Sequence, residues 1–583
     1  MEWLILIGFG LIFLSYLGFI LCSAHLFIKP LVFLVLISLA LTGILIISVK
    51  KPALKFFNLR LEISDYLALV IFSAFLVMSL IQSLSPPQQW DEQVYHLLLP
   101  KFYLAKGGFF NVPSNIYAWF PQNQEMIYSL LFASSDAISP RLFQYLMGLM
   151  VLWGLWNFGR ELYGSDGAGI WAMIFFGISG IFHLEATSAY LDLALCYFVL
   201  LSVYSAYQFR VSQDWKWLFA AGIFAGGSLG IKYLALGPVL ATAWFVWRWS
   251  RQHCWRKGLS YLVLAATFLL PWLLHNLIYL GNPIYPFGVG IWDGGEWDQT
   301  LLDRYIYSAR LEGMGRSWLD YLLLFPRLLL LAREESFSFD ARFNPLLFFV
   351  SLFSFFFAQT RRQAWLWLWF VFTFILWALG AQHGRYILPG IAVLALIGGG
   401  AFQEILQRSG RYFSVILSIL ALGFSLWSLP AKDWKLSDEM NFLTGRLNLE
   451  DYLVRNRDRL GLIRIDELLA INSLTPTDAK LFLLWENRGL YLQRDYLADS
   501  LFEVSYTKRL IARLGAEDNF YRWLKANHFS YIYNARSWKW DADQYLQTET
   551  REEFRKAEAI YRAWVQKHGQ VVFRRQGELI KVK

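Results

Sequence analysis

"YLALVIFSAFLVMSLIQSLSPPQQWDEQVYHLLLPKFYLA" (residues 66–105) joins a long apolar run to two adjacent acidic residues. An apolar run of about 20 residues is long enough to cross the ~30 Å hydrocarbon core of a bilayer as an α-helix. Pro86 and Pro87 end this helix, and Asp91 and Glu92 follow within a few residues. The stretch therefore predicts a membrane span that opens into a surface segment bearing paired carboxylates.

The composition of the whole chain indicates a multi-pass membrane protein. Of its 583 residues, 56% are hydrophobic and only 17% are charged, whereas about a quarter of the residues of a soluble protein are charged. The first apolar block has no cleavage site after it and is interpreted as a retained helix. Apolar blocks predict thirteen spans, near residues 3–23, 30–49, 65–84, 140–158, 167–182, 186–208, 217–231, 233–249, 258–280, 344–358, 364–380, 385–402 and 411–429.

Positive charges in the short loops support this count and orient the chain. With a cytoplasmic N-terminus, the short outer turns hold only Lys29, Lys232 and Arg385. Because basic loops remain in the cytoplasm, residues 85–139, residues 281–343 and everything after 430 are predicted outside. The inner loops hold 15 basic residues: Lys50, Lys51, Lys55, Arg60, Arg160, Arg210, Lys216, Arg248, Arg251, Arg256, Lys257, Arg361, Arg362, Arg408 and Arg411.

The last part of the chain has the composition of a water-soluble domain, with 26 Lys and Arg and 22 Asp and Glu in 153 residues. Strands are predicted at 480–484, 529–534, 570–575 and 578–583, the last two as a hairpin turning at Gln576-Gly577. "EDNFYRWLKANH" and "REEFRKAEAIYRAWVQKHG" are predicted helices. The predicted units are 1–64 (two N-terminal spans and a basic cytoplasmic loop), 65–430 (a transmembrane catalytic domain) and 431–583 (an extracytoplasmic α/β domain).

Acidic residues on the outer side are the first candidates for chemistry. Asp91 and Glu92 begin a surface helix predicted over 91–106, and helical spacing brings them near Tyr95 and His96 one turn on. Acids in a first turn ordinarily interact with the helix dipole, worth about 0.3–1 kcal/mol. A carboxylate half-withdrawn from water at the membrane boundary can also act as a general base.

A second acid is expected inside the membrane region. Asp192 is placed about seven residues into a span, on its outer side, where it serves chemistry or makes a structural hydrogen bond to a neighbouring helix. His183 and Glu185, in the preceding turn, are assigned a solvated-loop role.

Basic residues on the outer side are few. Lys232 occupies a tight outer turn, and Arg385 opens a span with His383 beside it. Snorkelling to the interface explains either cation alone, whereas a lipid-linked phosphate would need both, with Arg able to bind it bidentately. Tyr285, in the second outer segment, is a candidate to stack on a sugar or to anchor the loop at the membrane.

Five blocks occur in an order that resembles a known family. On these blocks the chain resembles the polytopic GT-C glycosyltransferases, and within them the bacterial, family 39-like relatives of protein O-mannosyltransferases and lipid A aminoarabinose transferases. The resemblance covers about residues 65–430 and implies a helical GT-C-like fold of about 13 transmembrane helices with a C-terminal soluble α/β domain. The two spans before residue 64 depart from the family pattern. The blocks are "WDEQVYHLLLPKFYL", "TSAYLDLAL", "GIKYLAL", "PWLLHNLIYLGNPIYPF" and "RYILPGIAVLAL".

The resemblance implies an inverting transfer of a sugar from a polyprenyl-phosphate donor to a glycan, lipid or protein hydroxyl at the outer face of the cell (inner, cytoplasmic) membrane. Asp91 would be the general base, and Glu92 and Asp192 would shape the pocket; any of these three acids would be the ligands of a divalent cation (Mg²⁺ or Mn²⁺) if one is used. Lys232 and Arg385 would bind the donor phosphate. Weaker candidates for the substrate pocket are Tyr95, His96, His383 and Tyr285.

Other functional classes stay open at this point. A multi-pass lipid or sugar transporter or flippase without transferase activity fits the many spans, although transporters usually show internal repeats and polar residues at the midplane. A cell-envelope scaffold leaves the outer acids unexplained. The net charge of +9 is concentrated in cytoplasmic loops, so nucleic acid is not expected as a partner.

Overall fold

The computed structural model of the chain is mostly helical, with a small sheet near the C-terminus. It describes residues 1–38, 62–134, 136–292, 295, 297–335, 338–427, 429, 436–457, 464–500, 505–535 and 548–583.

Helices occupy every predicted span whose residues are described. The second predicted span begins in the helix Lys29–Ser38, and its remainder, residues 39–49, lies outside the described residues. The helices of this region are Glu2–Ser23, Lys29–Ser38, Ile63–Ser83, Ser139–Tyr163, Asp166–Gly177, Gly180–Ala186, Asp192–Ser212, Trp215–Leu229, Leu236–Trp249, Cys254–Leu280, Leu346–Phe353, Ala364–Leu379, Leu388–Arg408 and Arg411–Trp427.

Five helices of the described part are long and apolar enough to cross a membrane, and a bent pair makes up to six. The count of thirteen therefore remains a prediction. In the bent pair, Asp166–Gly177 and Gly180–Ala186 meet at 77°, so the predicted span 167–182 is not one straight helix. Ser179 caps the second helix by accepting a hydrogen bond from the Phe182 N–H at 3.3 Å, as serine does at N-termini.

The segment predicted as one surface helix, 91–106, consists of two pieces. A π-helix covers Glu92–His96, and an α-helix covers Leu98–Lys106. Between them the Leu97 N–H donates to the Glu92 carbonyl, five residues back, which adds a residue to the turn. Such single-turn π segments are frequent at functional sites.

The two outer segments carry further short helices. In the first these are Ile116–Trp119, a 3₁₀ turn, and Asn123–Ser134. The second contains Gln299–Arg310, Trp318–Leu322, Leu324–Pro326 and the π-turn Arg327–Leu331.

The C-terminal region folds around a five-stranded sheet in the order β2-β1-β3-β5-β4. Strand β1 pairs in parallel with β2 and β3, whereas β5 is antiparallel to β3 and β4. The four predicted strands and the final hairpin are confirmed; the three-residue β2 is the strand that the sequence pattern missed. The strands are β1 Lys480–Leu484, β2 Asp495–Leu497, β3 Tyr531–Asn534, β4 Gly569–Arg574 and β5 Glu578–Val582.

Helices cover the sheet and connect it to the transmembrane region. Both predicted C-terminal helices are present, the second ending at His568 where β4 begins. The helices are Ser437–Leu443, Leu449–Arg455, Ile465–Leu474, Tyr506–Leu514, Glu517–Ala526 and Thr548–His568.

The sheet-containing region packs directly on the first outer segment. Lys101 Nζ donates to the carbonyl oxygens of Leu490 and Leu492, each at 2.8 Å. The Tyr491 hydroxyl donates to the Pro87 carbonyl at 2.5 Å. The C-terminal region is thus bonded on both sides of Asp91 and Glu92.

Lys101→Met is expected to weaken this contact, because it leaves two carbonyl groups without their charged donor. Burial lowers the pKa of Lys101 from 10.5 to about 8. The unfolded chain therefore binds more protons than the folded chain between about pH 8 and 10.5, and the stability contributed by Lys101 rises with pH through that window. We expect the difference in Tm between wild type and Lys101→Met to grow from pH 7 to pH 9.5.

The matched control is Lys106→Met, because Lys106 forms an exposed pair with Asp495 at 3.3 Å. Such pairs contribute at most about 1 kcal/mol. Equal effects of the two substitutions at every pH would contradict the assignment of Lys101 to a buried contact.

Candidate active site

Asp91 and Arg385 form an ion pair between two elements that are distant in sequence. The Arg385 Nη1 atom lies 2.6 Å from Asp91 Oδ2, and their side chains are only 9% and 7% exposed. Asp91 immediately precedes the π-helix Glu92–His96, and Arg385 lies in the 3₁₀ turn that leads into Leu388–Arg408. The structure therefore brings the expected base and an expected phosphate ligand into contact.

Asp192 and Lys232 form a second buried ion pair. Lys232 Nζ donates to both carboxylate oxygens of Asp192, at 2.9 and 2.8 Å. The prediction that Asp192 lies well inside a span is wrong, since it is the first residue of the helix Asp192–Ser212. Its carboxylate therefore occupies a helix N-terminus, where the dipole favours negative charge.

Aromatic rings connect the two ion pairs. The Tyr386 ring centroid is 5.3 Å from Lys232 Nζ and 5.5 Å from Arg385 Cζ. Arg385 also contacts a second ring, since its Cζ atom is 4.8 Å from the Tyr190 ring centroid. Cations at these distances from an aromatic face are attracted by the ring quadrupole. Lys232 and Arg385, with their carboxylate partners, therefore line one site.

Glu92 is held by the protein backbone. Its Oε2 atom accepts the N–H groups of Gln88 and Gln89, both at 2.8 Å, and its Oε1 atom accepts the Ala189 N–H. Arg141 Nε lies 3.4 Å from Oε1, and the Glu92 side chain is fully buried. These contacts fix the turn that carries Asp91, so Glu92 shapes the site by holding Asp91 in position.

Tyr95 and His96 face protein groups of the first outer segment. The Tyr95 ring stacks on Tyr117 with centroids 4.2 Å apart and planes at 14°. His96 Nδ1 is 2.8 Å from Glu125 Oε1. Glu92 and His96, expected on neighbouring faces of a helix, have different polar partners: backbone N–H groups and Arg141 for Glu92, and Glu125 for His96.

His383 and Glu312 lie next to the Asp91–Arg385 pair. His383 Nε2 is 3.3 Å from Asp340 Oδ2, and the His383 ring centroid is 4.9 Å from that of Tyr386. Burial raises the pKa of Glu312, and the charges of His383 and Arg385 oppose this shift. Glu312, which the sequence did not suggest, thus adds an acid beside the site.

Tyr285 is buried in the second outer segment. Its side chain is 3% exposed, and its ring centroid is 6.3 Å from that of Trp297. Stacking on a sugar would require this packing to open.

The solvated-loop role assigned to His183 and Glu185 is wrong. Both side chains are buried, since the 77° bend folds their helix back against its neighbours. His183 Nδ1 is 2.9 Å from the Ser79 hydroxyl oxygen. Glu185 Oε2 accepts the Asp192 backbone N–H at 3.3 Å, so Glu185 helps to hold the start of the Asp192 helix.

The three acids proposed as possible metal ligands are each engaged by the protein. Asp91, Glu92 and Asp192 each have a basic partner. Across the described ranges, no group of three or more His, Cys, Asp or Glu side chains is placed to hold a metal ion. No step below involves a metal.

Sequence reasoning missed several buried charged residues around the site. Arg141 donates to the Thr187 carbonyl at 2.8 Å and to the Pro86 carbonyl at 2.7 Å, which joins the span exit to the loop before Asp192. Glu125 binds His96. In the sequence, Arg141 and Glu125 are each a lone charged residue beside apolar residues, and this isolation is the signal that could have identified them.

Comparison with known proteins was made for both sequence and structure. The family model described as dolichyl-phosphate-mannose-protein mannosyltransferase matches residues 119–277. The comparison with curated proteins finds no significant match.

Three solved structures illustrate the structural matches. ArnT from Cupriavidus metallidurans bound to undecaprenyl phosphate is 13% identical, with a TM-score of 0.50 over 88% of this chain and 97% of that one. Its apo state is 15% identical, with a TM-score of 0.48 over the same shares of 88% and 97%. Archaeal oligosaccharyltransferase AglB from Archaeoglobus fulgidus, with an inhibitory peptide and a dolichol-phosphate, is 13% identical, with a TM-score of 0.43 over 87% and 73%. The family match and the first structure support the GT-C-like helical fold expected from the sequence, whereas the count of thirteen spans stays a prediction.

Proposed function

We propose that this chain is a GT-C membrane glycosyltransferase, supported by the family-model match over residues 119–277 and by the similarity of its fold to ArnT. We propose that it transfers a sugar from a polyprenyl-phosphate donor to an acceptor hydroxyl on a glycan, lipid or protein. The reaction takes place at the outer face of the cytoplasmic membrane, with the N-terminus in the cytoplasm and the C-terminal region outside.

The observation that carries this proposal is the meeting of two carboxylates and two cations in one buried site. Asp91 and Asp192 come from different elements, and each contacts a cation, Arg385 or Lys232. Burying four charged groups is costly unless they are paired or serve chemistry. An anionic lipid phosphate and a hydroxyl nucleophile are the substrates that these groups can bind and activate.

In the proposed reaction Asp91 accepts the proton of the acceptor hydroxyl as its oxygen attacks the anomeric carbon. The bond from that carbon to the phosphate oxygen breaks, polyprenyl phosphate leaves, and the configuration inverts. Positive charge at the leaving phosphate lowers the barrier.

Arg385 is suited to bind the phosphate while it stays beside Asp91. It contacts Asp91 through Nη1, and its Nε has no hydrogen-bond partner among the residues that the structure describes. A guanidinium with a free edge can bind a phosphate oxygen and keep its carboxylate neighbour in place. Lys232, bonded to both oxygens of Asp192, supplies the second positive charge.

Arg385→Ala is expected to raise the KM for the lipid-linked donor about 10- to 100-fold, with a smaller effect on the KM for the acceptor, because a charged phosphate contact is lost. The assay measures transfer by purified protein in vesicles, with donor and acceptor varied separately. Arg310→Ala, which removes an exposed arginine of the second outer segment, is the control. A larger change in the acceptor KM than in the donor KM would contradict the phosphate role.

The same vesicles test the transporter alternative. Movement of a lipid or sugar across the bilayer without consumption of lipid-linked sugar would favour transport over transfer.

A further inference from the structure

His96 and Glu125 form a buried pair beside the two ion pairs. His96 Nδ1 is 2.8 Å from Glu125 Oε1, and the side chains are 1% and 5% exposed. They come from the π-turn after Asp91 and from the helix Asn123–Ser134. The proposed reaction assigns no role to this pair.

Each member keeps one polar atom without a partner. Within the part of the chain that the structure describes, His96 Nε2 and Glu125 Oε2 are buried and make no hydrogen bond. Leaving a buried polar group unsatisfied costs about 1–3 kcal/mol. Two such atoms on one hydrogen-bonded pair indicate that a ligand group completes the site.

The protonation of the pair defines what it offers. Burial raises the pKa of Glu125 to about 8 and lowers the pKa of His96, so the pair as a whole is neutral near pH 7. With Oε1–H donating to Nδ1, or with Nδ1–H donating to an ionised Glu125, the second imidazole proton is on Nε2. In these arrangements the pair presents one N–H donor and one carboxyl oxygen acceptor, without net charge.

One aromatic side chain, Tyr190, lies next to both the pair and a cation of the site. The His96 ring centroid is 5.9 Å from that of Tyr190, the same ring that lies 4.8 Å from Arg385 Cζ. At the start of the Glu125 helix, the Asn123 N–H donates to the Gly230 carbonyl at 2.8 Å, two residues before Lys232.

We propose that His96 and Glu125 form a neutral subsite that binds hydroxyl groups of the sugar carried by the lipid-linked donor. A polyhydroxylated, uncharged ligand supplies the acceptor that Nε2–H needs and the donor that Oε2 needs. The phosphate is bound by the cations, so the sugar beside it is the part of the donor that reaches this pair. The inference rests on the proposed function and adds to it a recognition site for the sugar.

The test separates the sugar from the phosphate. Full-length wild type, His96→Gln and Glu125→Gln are placed in nanodiscs, and the Kd is measured for undecaprenyl phosphate and for undecaprenyl phosphate carrying glucose, mannose or an aminopentose. We expect wild type to bind at least one sugar-bearing lipid more tightly than the bare phosphate. Both substitutions should weaken that binding about 10- to 100-fold and leave binding of the bare phosphate within twofold.

Retained binding of undecaprenyl phosphate also reports that each variant is folded. His275→Gln is the matched control, because His275 is a buried histidine whose Nε2 also has no partner in the described structure; its binding of both lipids should match wild type.

Three outcomes would overturn the inference alone, and a fourth would overturn it together with the proposed function. Sugar-lipid binding that is unchanged in both variants shows that the pair does not bind the sugar. Equal weakening of both lipids shows a structural role instead. If wild type binds the bare phosphate and none of the sugars increases its affinity, the protein has no sugar subsite. If wild type binds no polyprenyl phosphate at all, the proposed function itself fails, and the inference fails with it.

Discussion

Asp91→Asn is expected to lower the rate of sugar transfer by about 10²- to 10⁴-fold, the usual contribution of a general base. The amide cannot accept the proton of the acceptor hydroxyl, but it has nearly the shape of the carboxylate and can still accept a hydrogen bond from Arg385. The protein should therefore insert into membranes and bind polyprenyl phosphate as wild type does. The rate of transfer from a lipid-linked donor in vesicles and the Kd for undecaprenyl phosphate measure the two effects separately.

The control is Asp303→Asn, the same substitution at an exposed residue of the second outer segment. It should leave the rate unchanged, because Asp303 is exposed and accepts a hydrogen bond from the Gln299 amide at 2.8 Å. Full activity of Asp91→Asn would remove the proposed base, whereas loss of phosphate binding together with activity would indicate a damaged site.

Asp192→Asn is expected to destabilise the protein by about 3–5 kcal/mol, because it leaves the Lys232 ammonium without its charged partner in a buried site. Lys232 Nζ is bound to both oxygens of Asp192, which is fully buried. The double variant Asp192→Asn/Lys232→Met should recover much of this stability, since it removes both buried charges, but it should stay inactive. Thermal unfolding in detergent and the transfer assay provide the two readouts.

A solvent-exposed pair supplies the comparison. Asp214 and Lys216 are 3.1 Å apart with side chains 43% and 69% exposed, so Asp214→Asn should cost no more than about 1 kcal/mol. If Asp192→Asn costs as little as Asp214→Asn, the Asp192–Lys232 pair is not a buried interaction. A double variant less stable than Asp192→Asn alone would contradict the charge argument.

The location of the candidate site could be predicted because its residues violate the pattern around them. Asp91, Lys232 and Arg385 are charged residues at the outer ends of apolar blocks, where the bilayer makes isolated charges expensive. That these residues lie on the same side of the membrane follows from the alternation of spans. Which of them form ion pairs does not follow from it. That Arg385 meets Asp91 and Lys232 meets Asp192 depends on which helices are neighbours.

The errors have a common physical origin. Hydropathy places Asp192 inside a span and Glu185 in solvent, because it cannot show that the preceding helix pair is bent by 77° or that residues 187–191 are non-helical. Asp192 is therefore the first residue of its helix, and its N–H donates to Glu185. The π-turn at Glu92–His96 likewise redirects His96 to Glu125, which regular helical spacing does not anticipate.

The sequence by itself determined the membrane class, the positions of the apolar helices, four of the five C-terminal strands and the residues at which charge enters the membrane boundary. Each of these depends on local composition and on the free energy of transferring side chains from water. Only the tertiary structure decided which charge pairs with which, that Glu92 is held by backbone N–H groups, and that His96 lies against Glu125. Such contacts join residues far apart in the chain, and their geometry depends on helix packing, bends and turns that no local pattern encodes.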